Sequence, residues 1–452
     1  RKIKIICMHI IFIILGYNYR LCHMVSQFIF TIIFLGAIIL FALQIKKIYR
    51  NICLGREISL TGSKRDRWIT MLKVAFGQSK MVARPIAAIM HFFVYIGFII
   101  INVEVLEIVI DGVLGTHRIF SSMGNFYNVL IASFEILALL VLVGVIVFLC
   151  RRLVLHLKRF SGIEMKSWPR KDALYILGIE VVLMLAFLTM NAADYKLQQL
   201  GVYHQAGSFP ISVYLSNILP NSGEQLIFIE RFCWWFHILG ILFFLNYLPS
   251  SKHFHIILAF PNTWYSKLDK KGKFNNMPAV TNEVRAMLDP SFVPPAVDNQ
   301  TKFGANDIFD LNRIHLLNAY TCTECGRCTS VCPANITGKM LSPRKIMMDT
   351  RDRLEEVGRK IDKANEQEIK ANPLLDNYIT REEIWACTTC NACTQACPVN
   401  IDPLAIIMEL RRYAVMEESN ASASINNMFS NMENNAAPWK YSPNDRLNWA
   451  NQ

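Results

Sequence analysis

Phe126-Tyr-Asn-Val-Leu-Ile-Ala-Ser-Phe-Glu135-Ile-Leu-Ala-Leu-Leu-Val-Leu-Val-Gly-Val-Ile-Val-Phe-Leu-Cys150 decides the fold class. Its only charged residue is Glu135, and it exceeds the roughly 20 apolar residues a helix needs to cross a bilayer core. Backbone in hydrocarbon must satisfy its own hydrogen bonds, so such a run is helical. Working outward, four more runs have the same character: Val25–Ile45, Ile86–Ile110, Ala173–Met190 and Leu226–Leu248, the last with an extension to Phe260. The expectation is an all-α protein, a five-span transmembrane bundle followed by a more polar region after Pro261.

The net charge of +12 lies mostly between these spans. Ten Lys and Arg fall between residues 46 and 84, and seven between 151 and 171, whereas the two loops on the other side hold only Arg118 and Lys196. This is the positive-inside bias. It predicts a multi-pass membrane protein with the C-terminal region cytoplasmic, and argues against nucleic-acid binding. The organisation read from composition is an N-terminal extension (1–23), a membrane domain (24–260), a linker (261–305), a cysteine domain (306–418) and a tail (419–452). The extension reads either as a piece preceding a natural start near Met24 or as a short helix on the outer surface.

Two cysteine runs organise the polar region. Cys322-Thr-Glu-Cys325-Gly-Arg-Cys328-Thr-Ser-Val-Cys332-Pro333 and Cys387-Thr-Thr-Cys390-Asn-Ala-Cys393-Thr-Gln-Ala-Cys397-Pro398 are each complete C-x2-C-x2-C-x3-C-P motifs. Three closely spaced thiolates wrap one face of an iron–sulfur cubane, and a fourth comes from elsewhere. Paired CxxC motifs also make structural zinc sites, but those need neither the third Cys at x2 nor the Cys-Pro ending, and here both occur twice. Two [4Fe-4S] clusters are the reading. The remaining cysteines, Cys7, Cys22, Cys53, Cys150 and Cys233, lie in or near apolar segments and read as small buried hydrophobes; no disulfide framework is expected.

The motifs are similar to those of two-cluster ferredoxins, in which the fourth Cys of each run serves the other cluster. That resemblance implies Cys322, Cys325, Cys328 and Cys397 on one cluster, with Cys387, Cys390, Cys393 and Cys332 on the other. The long spacer between motifs and the amphipathic stretches Pro343–Lys363 and Pro403–Val415 resemble the helical ferredoxin domain of succinate dehydrogenase iron–sulfur subunits and the small iron–sulfur subunit of heterodisulfide reductase.

Three histidines stand in apolar sequence: His91, His237 and His255. Eighteen residues separate the last two, five turns at about 3.6 residues per turn, so one continuous helix presents both on one face. An imidazole in hydrocarbon is costly unless bonded, and bis-His haem resolves the cost. Leu248-Pro-Ser-Ser-Lys-His253-Phe-His255-Ile-Ile257, with Phe236-His237, resembles the last helix of the gamma subunit of respiratory nitrate reductase. It is also similar to membrane subunits of heterodisulfide reductase and of the dissimilatory sulfite reductase-linked complex. The resemblance implies b haem between helices two and five, with His91 matching the inner ligand and His255 its partner. The family's second ligand on helix two is missing, since Asn102 is near that place. Either one haem is kept, which the pattern favours, or His117 completes a second site with His237. His253 is an alternative ligand.

Carboxylates within spans are candidates for proton traffic. Glu104 and Glu107 lie near an end and read as solvated. Glu135 and Glu180 lie deeper and are the candidates for quinone protonation.

Taken whole, the chain resembles membrane iron–sulfur oxidoreductases linked to electron-transfer flavoprotein and quinone, a nitrate-reductase-gamma-like anchor fused to a heterodisulfide-reductase-C-like domain. Relatives continue from a Glu-Asn…Pro-Trp…Arg…Trp stretch into a cysteine-rich CCG domain. Here Glu433-Asn434…Pro438-Trp439…Arg446…Trp449 matches that stretch and no Cys-Cys-Gly is present. A separate CCG-domain iron–sulfur subunit, or a flavoprotein, is therefore the expected partner, with the tail as its dock. The implied function is electron relay between that partner and a membrane quinone, menaquinone by resemblance, this chain catalysing only the quinone half-reaction. Two rivals are a membrane redox sensor without quinone chemistry and a cation transporter. The transporter is disfavoured by the lack of paired broken spans.

Overall fold

A computed structural model describes the backbone of residues 2–295, 302–364 and 366–451, and the side chains of 24–295, 302–364 and 368–451. The chain is 70% helical, and no strand occurs among the described residues. It forms two compact units. One comprises Arg1–Arg50, Leu72–Phe260 and Thr323–Gly326; the other comprises Asn51–Met71, Pro261–Cys322 and Arg327–Gln452.

In chain order the first helices are α1 (Lys2–Cys53), α2 (Lys64–Met71), α3 (Pro85–Leu114), α4 (Asn125–Leu153), α5 (Trp168–Gln199), α6 (Ser212–Ser216), α7 (Gly223–Tyr247) and α8 (His255–Tyr265). Five segments are long and apolar enough to cross a membrane: Met24–Cys53, α3, α4, α5 and Gly223–Ser250. They overrun the apolar windows of the sequence because their ends are built from helix-terminal chemistry. Prolines stand in the first turns of α3 and α5, where a missing N–H costs nothing. Arg151 and Arg152 complete the last turn of α4, where cations meet the carbonyl end of the helix dipole. The extension expected at residues 1–23 lies outside the described side chains.

The core of the first unit is made of buried side chains from α1, α3, α4, α5 and α7, among them Phe30, Ile108, Ile131, Phe134, Phe187 and Ile238. Small residues let α3 and α4 approach closely, as membrane helices do. A Cβ at Gly97 would stand 2.4 Å from Val141 Cγ2, and one at Gly144 would stand 3.1 Å from the Met90 carbonyl oxygen.

The fifth span is formed, but its extension to Phe260 as one continuous helix is not. Leu248–Ser250 and Lys252–Phe254 are single tight turns, separated by Ser251 in an extended conformation (φ −113°, ψ 152°). Pro249 enters the break, and Asp172 of α5 holds it: its carboxylate accepts the Ser251 hydroxyl (2.9 Å) and the Lys252 N–H (3.2 Å). His237 and His255 thus sit on different helices, α7 and α8, and the five-turn argument does not apply.

Among the scattered cysteines expected to be buried, Cys233 is buried, Cys53 is half-buried and Cys150 is exposed. An apolar thiol on an outward helix face can meet lipid instead of protein. Cys7 and Cys22 lie outside the described side chains.

The second unit contains α9 (Pro278–Leu288), α10 (Arg313–Thr321), α11 (Arg327–Ser330), α12 (Pro333–Ile336), α13 (Pro343–Asp362), α14 (Glu366–Ile369), α15 (Leu374–Asn377), α16 (Arg381–Ala386), α17 (Ala392–Ala396), α18 (Pro403–Met416) and α19 (Ala423–Asn435). The stretch read as a linker therefore holds α9, and the tail holds α19. Side-chain caps start the helices that frame the motifs: Asn312 for α10, Ser342 for α13, a Thr380–Glu383 capping box for α16 and Asp402 for α18, as such caps satisfy the free N–H groups of a first turn. Arg353, fully buried in α13, is held by Asp307 through Nε–Oδ1 (3.0 Å) and Nη2–Oδ2 (2.6 Å).

Candidate functional site

The two cysteine motifs have the same backbone. In the first, Glu324 and Gly326 have φ of 53° and 69°; in the second, Thr389 and Asn391 have φ of 54° and 61°. Each loop thus reads Cys-x-left-Cys-left-x-Cys, a conformation that turns successive N–H groups toward one side and favours anionic groups there. Helices set the ends: Cys322 and Cys387 follow the last turns of α10 and α16, and Cys332 precedes α12.

In the second unit α11 packs against α17, which brings the motifs side by side. Cys332 lies near enough to Cys387 for their charges to interact. Cys322, Cys332, Cys393 and Cys397 are buried; Cys325, Cys328 and Cys387 are half-buried, and Cys390 is exposed. The Cys387 sulfur accepts the Thr389 N–H (3.4 Å), and the Cys397 sulfur accepts the Ile401 N–H (3.3 Å). No described group of three or more potential ligands converges as on one metal ion. The thiolates of a cubane bind separate irons, so this does not count against the motif. Eight soft thiolates in two preformed loops fit iron–sulfur clusters.

Supporting residues were not identified from the sequence. Arg411 of α18 donates to the Ile384 carbonyl (2.9 and 2.6 Å) and to the Cys387 carbonyl, fixing the entry to the second loop. Asn318 of α10 donates to Asn262 (3.0 Å) and accepts the Asp402 N–H (2.8 Å), while Asn262 donates to the Val399 carbonyl (2.7 Å), beside Cys397-Pro398. Asn318 is a buried amide one turn before Cys322. That placement is the only trace of its role in the sequence.

The membrane unit brings together two of the singled-out histidines. The rings of His91 and His255 have centroids 6.4 Å apart. His91 Nδ1 lies 3.1 Å from Gln78 Oε1, and His255 Nδ1 lies 3.1 Å from the Lys252 carbonyl. When Nδ1–H donates to such an oxygen, Nε2 carries the lone pair, the arrangement that orients metal-ligating imidazoles. His253 packs edge-on against His255, 5.4 Å between centroids. His237 has the same kind of anchor, Nδ1 at 3.0 Å from the Leu183 carbonyl, and is buried against Phe187. No described contact joins it to His117. That residue instead lies 3.9 Å from Asp194 through Nε2, with its ring 4.5 Å from Tyr203.

The carboxylates of the spans are distributed differently from the expectation. Glu104 and Glu107, read as solvated, are each only 3% exposed. The reason is the turn after α3, which folds back over the helix end: Arg118, with φ 53°, reaches inward. The Phe120 N–H and the Tyr127 hydroxyl donate to Glu107 (2.9 and 3.0 Å). Arg118 donates to Asp194, to Asn191 (2.9 Å) and to the Tyr127 oxygen (3.1 Å), and its N–H donates to Asp111 (2.7 Å). Burial works against the Arg118 charge, but Asp194 and its other neighbours outweigh it and hold the guanidinium protonated. Burial pulls His117 below the usual imidazole range, against the pull of Asp194.

Glu135 is fully buried, and its carboxylate accepts the N–H groups of Ile211 (2.9 Å) and Ser212 (3.1 Å) and the Asn191 amide (3.3 Å). Glu180 is half-buried, and no hydrogen bond or ion pair reaches it among the described residues.

Comparison with known proteins agrees with this geometry. Residues 321–401 match the 4Fe-4S dicluster domain model. The chain is 28% identical over 460 residues to the probable iron–sulfur-binding oxidoreductase FadF of Bacillus subtilis, covering 94% of this chain and 61% of that protein. It is 28% identical over 410 residues to the EtfAB:quinone oxidoreductase of Syntrophomonas wolfei, covering 84% of this chain and 53% of that protein. It is also 28% identical over 178 residues to the probable membrane-anchored ferredoxin of Chromohalobacter salexigens, covering 36% of this chain and 25% of that protein. The chain thus spans only about half to three-fifths of the length of the first two of these relatives. No solved structure matches. Its homologues are iron–sulfur oxidoreductases, and the chain joins a 4Fe-4S dicluster domain to membrane-spanning helices.

Proposed function

We propose that this chain is the membrane electron-transfer subunit of a quinone-linked oxidoreductase of the bacterial inner membrane, its cysteine domain on the cytoplasmic side. The observation that carries the reading is the union, in one chain, of the dicluster domain with a membrane unit holding the facing His91–His255 pair. Cys322, Cys325, Cys328 and Cys397 would hold one cluster, and Cys387, Cys390, Cys393 and Cys332 the other. His91 and His255 would hold b haem through Nε2. A single haem is supported by the separation of His237 from His117. Bound, these groups supply one-electron carriers; the protein's part is to position them and to manage protons.

The exposure of Cys390 supports the second motif as the one that meets a soluble donor, for which a flavoprotein or a CCG-domain subunit is the proposed source. Quinone, proposed as menaquinone, takes up protons as well as electrons, and Glu135 and Glu180 are the proposed contributors from the sequence. Orientation follows from the basic loops.

Pyridine haemochrome analysis tests the haem site. One iron needs both imidazoles, so His91→Ala and His255→Ala are each expected to abolish the same b-type band in the dithionite-reduced spectrum while the cluster EPR signals persist. Unchanged haem content in both variants contradicts the assignment.

A further inference from the structure

The end of the bundle at the Gly115–Met123 turn holds five buried carboxylates: Glu104, Glu107 and Asp111 from α3, Glu135 from α4 and Asp194 from α5. The turn contributes one guanidinium, Arg118, and the imidazole of His117. On α7, Glu230 is paired with its neighbour Arg231 and also accepts the Tyr203 hydroxyl (3.3 Å), so that pair leaves no charge to spare. Five negative charges around one positive charge are not sustainable in a medium of low dielectric, where like charges in one site cannot all ionise. At least one carboxyl must hold a proton.

Hydrogen bonds say which. Asp111 accepts from the Thr116 hydroxyl and the N–H groups of Arg118 and Ile119. Glu107 accepts from Phe120 and Tyr127, Glu135 from Ile211, Ser212 and Asn191, and Asp194 from Arg118 and Gln198. Each of these four is served as an anion. Glu104 is not: its Oε2 is buried without a hydrogen-bond partner among the described residues, and it lies within electrostatic reach of Arg118, Glu107, Glu135 and Asp194.

We propose that Glu104 is a further proton-exchanging group of the membrane unit, beyond the candidates named from the sequence, passing its proton to quinone as electrons arrive and regaining one from water through the Asp194–His117 end of the cluster. The proposal rests on the quinone reading above. Reduction of quinone to quinol takes two electrons and two protons. Glu104 supplies one proton per transfer and is left as a carboxylate near Arg118, and the cycle requires it to be reprotonated before the next. His117, whose side chain is 36% exposed, is the group of this cluster that meets solvent.

Infrared difference spectroscopy of the complete protein in H2O and D2O tests the proton directly. The wild type is expected to show a protonated-carboxyl band at neutral pH that Glu104→Gln removes, distinct from the one that Glu180→Gln removes. Survival of that band in Glu104→Gln overturns the proposal. In proteoliposomes containing menaquinone, Glu104→Gln is expected to slow reoxidation of the reduced clusters by about a hundredfold, the scale of a lost general acid. Their EPR line shapes should be unchanged, and Glu104→Asp should restore part of the rate. A lost band with an unchanged rate overturns the role in quinone chemistry while leaving the quinone reading intact. A wild type that passes no electrons to menaquinone removes the quinone reading and the proposal with it, even where the band behaves as expected.

Discussion

Cys332 is buried, and the helix α11 of its motif packs against α17 of the other motif. Under the proposed crossed ligation, as in two-cluster ferredoxins, Cys332 would serve the second loop rather than its own. Cys332→Ser is therefore expected to damage the cluster of Cys387, Cys390 and Cys393 and spare the other, which cluster-resolved EPR reads. Selective loss of the first-motif signal would show that the pairing is uncrossed. The dicluster motifs were legible in the sequence because their chemistry is local: spacing alone puts three thiols on one loop, and a histidine in an apolar run is conspicuous as a candidate. Glu104 and Glu107 were misread for the opposite reason. Arg118 looks like a loop charge, and only the folded turn after Gly115 carries it inward to bury the carboxylates beneath it. Arg411 and Asn318 were invisible for the same reason, since each is defined by a backbone group it meets across the fold.

Among the helices, apolar length was enough to find all five spans, because a membrane span is a property of a window rather than of a partner. The break between α7 and α8 was not found. Pro249 was in view, but the decisive contact is with Asp172, on another helix. Helix contact at α3 and α4 makes a prediction of its own. The missing Cβ at Gly144 faces the Met90 carbonyl, which is backbone and has no rotamer with which to yield. Gly144→Leu is expected to cost about 1–3 kcal/mol, the usual penalty of overpacking, and to shift α3 at the turn carrying His91. The expected result is a lower melting temperature in detergent and reduced haem content, with cluster EPR intact. A variant with wild-type melting temperature and haem would mean that α3 and α4 do not meet as closely as this.

For the whole molecule, the sequence conveyed the class of protein because two strong and separate signals coincide: long apolar windows before Pro261 and eight cysteines in two motifs after it. What it did not convey is the polar interior of the membrane unit, where carboxylates from three helices meet Arg118 of a turn. The central claim is that electrons pass between the clusters and a membrane quinone through this chain. Anaerobic stopped-flow measurement of the pre-reduced protein in sealed proteoliposomes tests it most directly. With menaquinone in the bilayer, the iron–sulfur absorbance should recover rapidly, and in quinone-free liposomes the clusters should stay reduced; equal rates with and without menaquinone would contradict the account.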